Sequence, residues 1–112
     1  MTEKDREIRL NLEGGTNLST RALLKLGATQ EQIDRILPVC RDEQLEMRIE
    51  SVLDIYEALK IMFDNQQTRI DFMQAHNQDD FFAGRTPLDV ISSGDTKDLV
   101  LATRRLEQIC LC

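Results

Sequence analysis

From about Arg41 to Phe63, apolar residues recur at three- and four-residue intervals, at Leu45, Ile49, Val52, Leu53, Tyr56, Leu59 and Phe63. That spacing puts them on one side of an α-helix, and Ile55, Ala58 and Met62 widen the stripe beyond a single seam. The pattern predicts a central helix contacted by neighbours on two sides. Asp64-Asn65-Gln66 interrupts it, and Asn65 can cap a further helix carrying Ile70, Phe72 and Met73.

Shorter elements flank this centre. Ser19 can cap a helix through Leu26, with Ala22, Leu23 and Leu26 on one side and Gly27 just past its end. Thr29 and Gln32 have the spacing of a capping box, in which each side chain satisfies the other's exposed backbone amide, and Ile33, Ile36 and Leu37 follow as its stripe. Pro38 closes that helix. Thr86 is placed to cap the next, Pro87 takes the first helical position where its missing N–H is harmless, and Asp89 lies in the first turn where negative charge is favoured. Gly94 ends it. Asp95 or Thr96 caps the last helix, whose stripe is Leu99, Ala102, Thr103, Leu106 and Ile109.

Ahead of all of these, residues 1–17 mix charges with Ile8, Leu10 and Leu12 and end in Glu13-Gly14-Gly15-Thr16-Asn17, a turn-rich break. They are expected to form an arm, flexible or ordered against a second subunit; their alternation also fits a short strand. The expected architecture is therefore all-α: one small domain with a long central helix, a degenerate helix-turn-helix-like segment at 18–44, and a helical region at 45–112.

Composition narrows the function classes. With 112 residues, 41% of them hydrophobic and 30% charged, the chain has room for one core and the balance of a globular domain. No apolar run approaches the roughly 18 residues of a membrane span, and MTEKDREIRL lacks the apolar centre of a signal peptide, so a cytosolic protein is expected. The formal charge is -6, and basic residues are spread over both halves, so neither half supplies a basic face for nucleic acid. A basic or neutral protein partner fits better. Cys40, Cys110 and Cys112 are an odd, unevenly spaced set that reads as ordinary thiols, and with His76 as the sole histidine they make no zinc site.

Two short helices separated by Pro38-Val39-Cys40 have roughly the layout of a helix-turn-helix, with Arg41, Gln44 and Arg48 as the DNA-facing donors. Asp42, Glu43 and Glu46 oppose them in the same turns, so DNA binding by this chain alone is not expected. Nothing in the chain has the pattern of a catalytic centre. His76 has no cysteine or serine beside it, Asp79 and Asp80 adjoin in a polar loop, and Gly14-Gly15-Thr16 is followed by no phosphate-loop lysine. No cofactor is implied. Arg85 stands out by position, because Gly84 permits a tight turn and the capped helix after it gives a rigid support. It can recognise a partner or brace its own loop through Asp79, Asp80 or Asp89.

The run Phe82-Ala83-Gly84-Arg85-Thr86-Pro87-Leu88-Asp89-Val90-Ile91-Ser92-Ser93-Gly94-Asp95 resembles the signature of the toxin-binding domain of Xre/MbcA/ParS-type antitoxins. The likeness extends to residues 48–63, which look like the long helix before the signature, and to residues 99–106, which look like its closing helix. It covers roughly residues 45–109. The resemblance implies an all-helical, often dimeric protein that clamps a RES-domain toxin, silencing its breakdown of NAD by blocking its cleft. Many such antitoxins bind their own promoter through an N-terminal Xre-like domain, but here the region before Arg48 is short and acidic. Phe72 stands where many relatives place a tryptophan.

On that resemblance, the toxin-facing surface is expected on the loop from Asp79 to Thr86, with Asp80, Phe82, Gly84 and Arg85, and on the end of the last helix. There Arg104, Arg105, Leu111 and Cys112 are the candidates. Arg85 would pair with a toxin carboxylate or carbonyl, Asp79 or Asp80 would face basic groups of the cleft, and the tail would enter it. The competing expectations are a small helix-turn-helix regulator and a helical scaffold without a toxin partner.

Overall fold

A computed structural model describes residues 12–38 and 43–111. Among them are six helices and no strand: α1 Leu12–Lys25, α2 Gln30–Ile36, α3 Glu43–Met62, α4 Gln66–Gln74, α5 Pro87–Ile91 and α6 Thr96–Leu111. The all-α expectation therefore holds. Among the described residues, no helix is long and apolar enough to cross a membrane.

The centre is α3, because it is apolar on more than one side. Leu45, Ile49, Val52, Leu53, Ile55, Ala58 and Leu59 are all buried, too many for one seam. Its most extensive packing is with α6 and the next is with α1. On the α6 side, Leu99, Ala102 and Leu106 are fully buried, and α1 with the turn after it contributes Ala22, Leu23 and Leu26. Two positions of the expected stripe differ. Tyr56 and Phe63 are only partly buried and pack at the edge of the core, and Met62 is 44% exposed.

Local caps set the boundaries. Thr29 and Gln32 form the reciprocal capping box, with Gln32 N–H donating to Thr29 Oγ1 (3.2 Å) and Thr29 N–H to Gln32 Oε1 (2.8 Å). Asn65 Oδ1 accepts from the amides of Gln67 and Thr68, and Thr86 Oγ1 from that of Asp89, with Pro87 following as foreseen. Of the two candidates ahead of α6, Asp95 does the capping, its carboxylate accepting from Lys97 N–H at 2.8 Å.

The start of the chain departs from expectation. Glu13-Gly14-Gly15-Thr16-Asn17 is no break but lies within α1, and Ser19 is not its cap but a fully buried residue in its middle. The Ser19 hydroxyl donates back to the carbonyls of Gly15 (2.8 Å) and Thr16 (3.1 Å), which satisfies it inside the helix. A glycine costs a helix only about 1 kcal/mol, and burying one face of the helix offsets that. Gly15, Ser19, Ala22, Leu23 and, in the turn just past its end, Leu26 are buried, a stripe at helical spacing that includes small residues. Of the arm expected over residues 1–17, residues 12–17 belong to α1, and residues 1–11 lie outside the described residues.

In the helix-turn-helix-like segment the order of the helices is as expected. α2 precedes α3, and residues 39–42 between them, including Arg41, lie outside the described residues. The would-be reading helix is the buried core of the domain. Its first turns expose Gln44, Glu46 and Met47 but bury Leu45, Arg48 and Ile49.

Candidate functional site

Between α4 and α5 the chain forms a loop that is closed at its neck by backbone bonds. Asn77 N–H donates to Arg85 O (3.0 Å) and Gly84 N–H to Asn77 O (2.8 Å), so the two ends of the loop pair with each other. Inside it, Ala83 N–H donates to Asp79 O and Arg85 N–H to Phe82 O, each a tight turn. Ala83 (φ 51°) and Gly84 (φ 86°) are consecutive left-handed residues, the second of which needs glycine. No atom outside its neighbours lies closer than 3.9 Å to a Cβ added at Gly84, so backbone conformation and not space excludes a side chain there.

Side chains complete the bracing. Asn77 Oδ1 accepts from Asp79 N–H and the Asp79 carboxylate from Phe81 N–H, while His76 Nδ1 meets Gly84 O at 2.8 Å. A carbonyl only accepts, so His76 carries its proton on Nδ1 in this contact. Arg105 from α6 then grips Asp79 with two bonds, Nε to Oδ1 (2.8 Å) and Nη2 to Oδ2 (2.9 Å). The Arg105 guanidinium holds the Asp79 carboxyl below its ordinary value, against the opposing effect of burial and with lesser help from the Phe81 amide.

The structure thus brings Asp79, Asp80, Phe82, Gly84, Arg85, Thr86 and Arg105 into one region, but their roles divide. Phe82 is fully buried and anchors the loop in the core, with Phe81 edge-on against it at 5.1 Å, so it offers no contact surface to a partner. Arg105 and Asp79 are engaged with each other, and Arg105 also donates to Gln108. Arg85 braces its loop, though through carbonyls and not carboxylates: Nε donates to Phe82 O (2.9 Å) and Nη2 to Phe81 O (2.6 Å), with the guanidinium 5.7 Å from the Phe81 ring centroid. It is nonetheless exposed, and the donors not used on those carbonyls can meet a partner. Asp80 and Arg104 are also exposed, and Leu111 is 50% exposed about 9 Å along α6 from Arg105. Cys112 lies outside the described residues.

Of the expected DNA-facing residues, Arg41 lies outside the described residues. Arg48 is 6% exposed, and its guanidinium donates to the carbonyls of Arg35, Ile36 and Gly94. It is a structural tie, with both terminal nitrogens engaged inside the fold. Gln44 accepts from the Thr96 hydroxyl at 2.9 Å. Among the described residues, no group of three metal-ligating side chains converges. Burial pushes the Cys110 thiol above its ordinary value, which keeps it protonated and unreactive at neutral pH.

One feature escaped the reading of the sequence. A cleft of about 220 Å³ opens between α1 and α3, lined by Leu18, Arg21, Ala22 and Lys25 from one helix and Leu53, Tyr56, Glu57 and Lys60 from the other. Its signal is the four-residue spacing of Arg21 with Lys25 and of Tyr56 with Lys60, which becomes informative only once the two helices are known to be neighbours. No known protein family, curated protein or solved structure matches the chain.

Proposed function

We propose that the chain is a non-catalytic antitoxin of the Xre/MbcA/ParS type that binds a RES-domain, NAD-degrading toxin and obstructs its cleft. What supports this reading is the resemblance of residues 82–95, together with the form that segment takes: a loop locked by its neck bonds and the Asp79–Arg105 clamp. A surface rigid before binding loses little entropy when a partner docks, so the exposed Arg85 is suited to act as an anchor. The net charge of -6 favours approach to a cleft that holds an anionic dinucleotide, chiefly through association rate and orientation. The residues left to face the toxin are Asp80, Arg85, Arg104 and Leu111, with Asp79 and Arg105 positioning the loop. We propose further that the chain forms a homodimer, for which exposed Leu24, Met47 and Ile61 supply apolar surface to cover.

The test is co-purification with a RES-domain protein encoded beside the chain, followed by an NAD-depletion assay. Wild-type protein suppresses NAD loss. Arg85→Ala weakens the complex by about 2 kcal/mol or more, and removal of Leu111 and Cys112 restores toxin activity even where some binding persists. A chain that neither binds such a neighbour nor suppresses its activity overturns the reading. Suppression indifferent to both changes leaves the function standing and moves the surface elsewhere.

A further inference from the structure

Charge is unevenly distributed around the cleft between α1 and α3. In a protein of net charge -6, its lining holds three cations, Arg21, Lys25 and Lys60, against the single carboxylate of Glu57. Two of the cations converge on one ring: the Lys60 ammonium is 5.0 Å and the Lys25 ammonium 6.0 Å from the centroid of Tyr56. The ring face attracts each of them, but they repel one another. Among the described residues none of the three is in an ion pair, although Arg35 and Arg105 each have a carboxylate partner. The floor is apolar, formed by Leu18, Ala22 and Leu53, and a low-dielectric wall strengthens the field of charges at its rim.

We propose that this cleft binds a phosphate-bearing anion. A dianionic group relieves the repulsion between the two lysines and matches the excess of positive charge over Glu57. The Arg21 guanidinium offers paired N–H donors suited to phosphate oxygens, and the Tyr56 hydroxyl can add another. Volume limits what enters. Sites that enclose a whole drug-sized molecule run to roughly 300–1,000 Å³, so this cleft takes one or two phosphoryl groups and leaves the remainder of the ligand outside. Free inorganic phosphates and the diphosphate of a nucleotide share that chemistry.

Tyr56 supplies the readout, since the chain has one tyrosine and no tryptophan. Titration with inorganic pyrophosphate at constant ionic strength, followed by tyrosine emission, is expected to saturate with one site per chain. Amide chemical shifts at Arg21, Ala22, Lys25 and Tyr56 should change over the same range. The Lys25→Gln, Lys60→Gln double variant, which removes only exposed side chains, weakens binding by about tenfold or more, while Lys97→Gln leaves it unchanged. A parallel titration with ADP separates the two sources: tighter binding than pyrophosphate assigns the site to a nucleotide, and equal or weaker binding to free phosphates. The proposal is overturned if neither emission nor shifts saturate below about 10 mM pyrophosphate, or if the double variant binds as well as wild type. It is overturned equally if an oligoglutamate peptide occupies the cleft more tightly than either phosphate.

Discussion

Replacing Arg48 by methionine discriminates a structural tie from a DNA contact. Methionine keeps most of the apolar stem but removes the charge and the donors to Arg35 O (3.2 Å), Ile36 O (3.2 Å) and Gly94 O (2.7 Å). Those bonds join the last turn of α2 to α3 and to the turn ahead of α6. The bond to Ile36 is buried, and a buried acceptor left without a donor costs about 1–3 kcal/mol; the other two are partly exposed and recover some of the loss from water. Losing a cation at the C-terminus of α2 adds about 0.5 kcal/mol, and releasing a guanidinium from burial offsets part of the sum. The net expectation is about 3 kcal/mol of destabilisation. With a urea slope of about 1.3 kcal/mol per molar, the unfolding midpoint falls by about 2 M. Arg48→Lys lies between the two, because a single ammonium cannot span carbonyls on both α2 and the Gly94 turn. A midpoint for Arg48→Met within about 0.4 M of wild type at unchanged slope refutes the argument; with loss of operator binding, that result would restore Arg48 as a DNA contact.

Other outcomes follow from the same geometry. At Gly27 (φ +87°) an added Cβ would sit 2.8 Å from Gln74 Nε2 and 2.9 Å from Ile70 Cγ2, whereas at Gly94 (φ +93°) it would meet nothing within 4 Å. Thermal unfolding should therefore rank Gly27→Ala below Gly94→Ala, the latter losing only the left-handed backbone term of about 1–2 kcal/mol. Ile55 is fully buried and Tyr56 is not, so Ile55→Ala is expected to lose about 2–5 kcal/mol and Tyr56→Ala less; the reverse order in urea melts would refute the placement of the two residues. Arg105 lowers the folded-state pKa of Asp79, so the pair's contribution is present above the ordinary carboxylate value of about 3.9 and fades as pH falls through the lower folded value. Melting temperatures from pH 7 to 2.5 should consequently fall more steeply for wild type than for Asp79→Asn.

Much of the helical framework was legible because its causes are local. The Thr29–Gln32 box, the Asn65 cap and the Thr86-Pro87 start each depend on atoms within a few residues, and each forms as the sequence implies. The stripe of α3 was equally plain, since seven of its apolar residues are buried. The loop at 75–86 was legible as a turn-rich element with Arg85 at a defined place, but its bracing was not. The sequence suggested carboxylate partners for Arg85, while the fold satisfies that guanidinium with the carbonyls of Phe81 and Phe82 and assigns Asp79 to an arginine 26 residues further along the chain.

The misplaced readings share one cause, which is that burial is a property of neighbours. Gly14-Gly15 looked like a break because the backbone penalty of glycine is visible in one dimension, whereas the packing of α1 on α3 that outweighs it is not. Arg48 looked like a donor turned toward DNA because a charged residue defaults to solvent; only the arrival of Arg35, Ile36 and Gly94 around it makes burial tolerable. The cleft is the same case with the opposite sign. Arg21 and Lys25 are separated from Tyr56 and Lys60 by more than thirty residues, and their shared field exists only because α1 and α3 lie side by side. Periodicity and caps along the chain determined the helices from α2 onward, since those interactions span one turn. Which charges are braced, which are buried and which are left facing solvent was decided by the packing between helices.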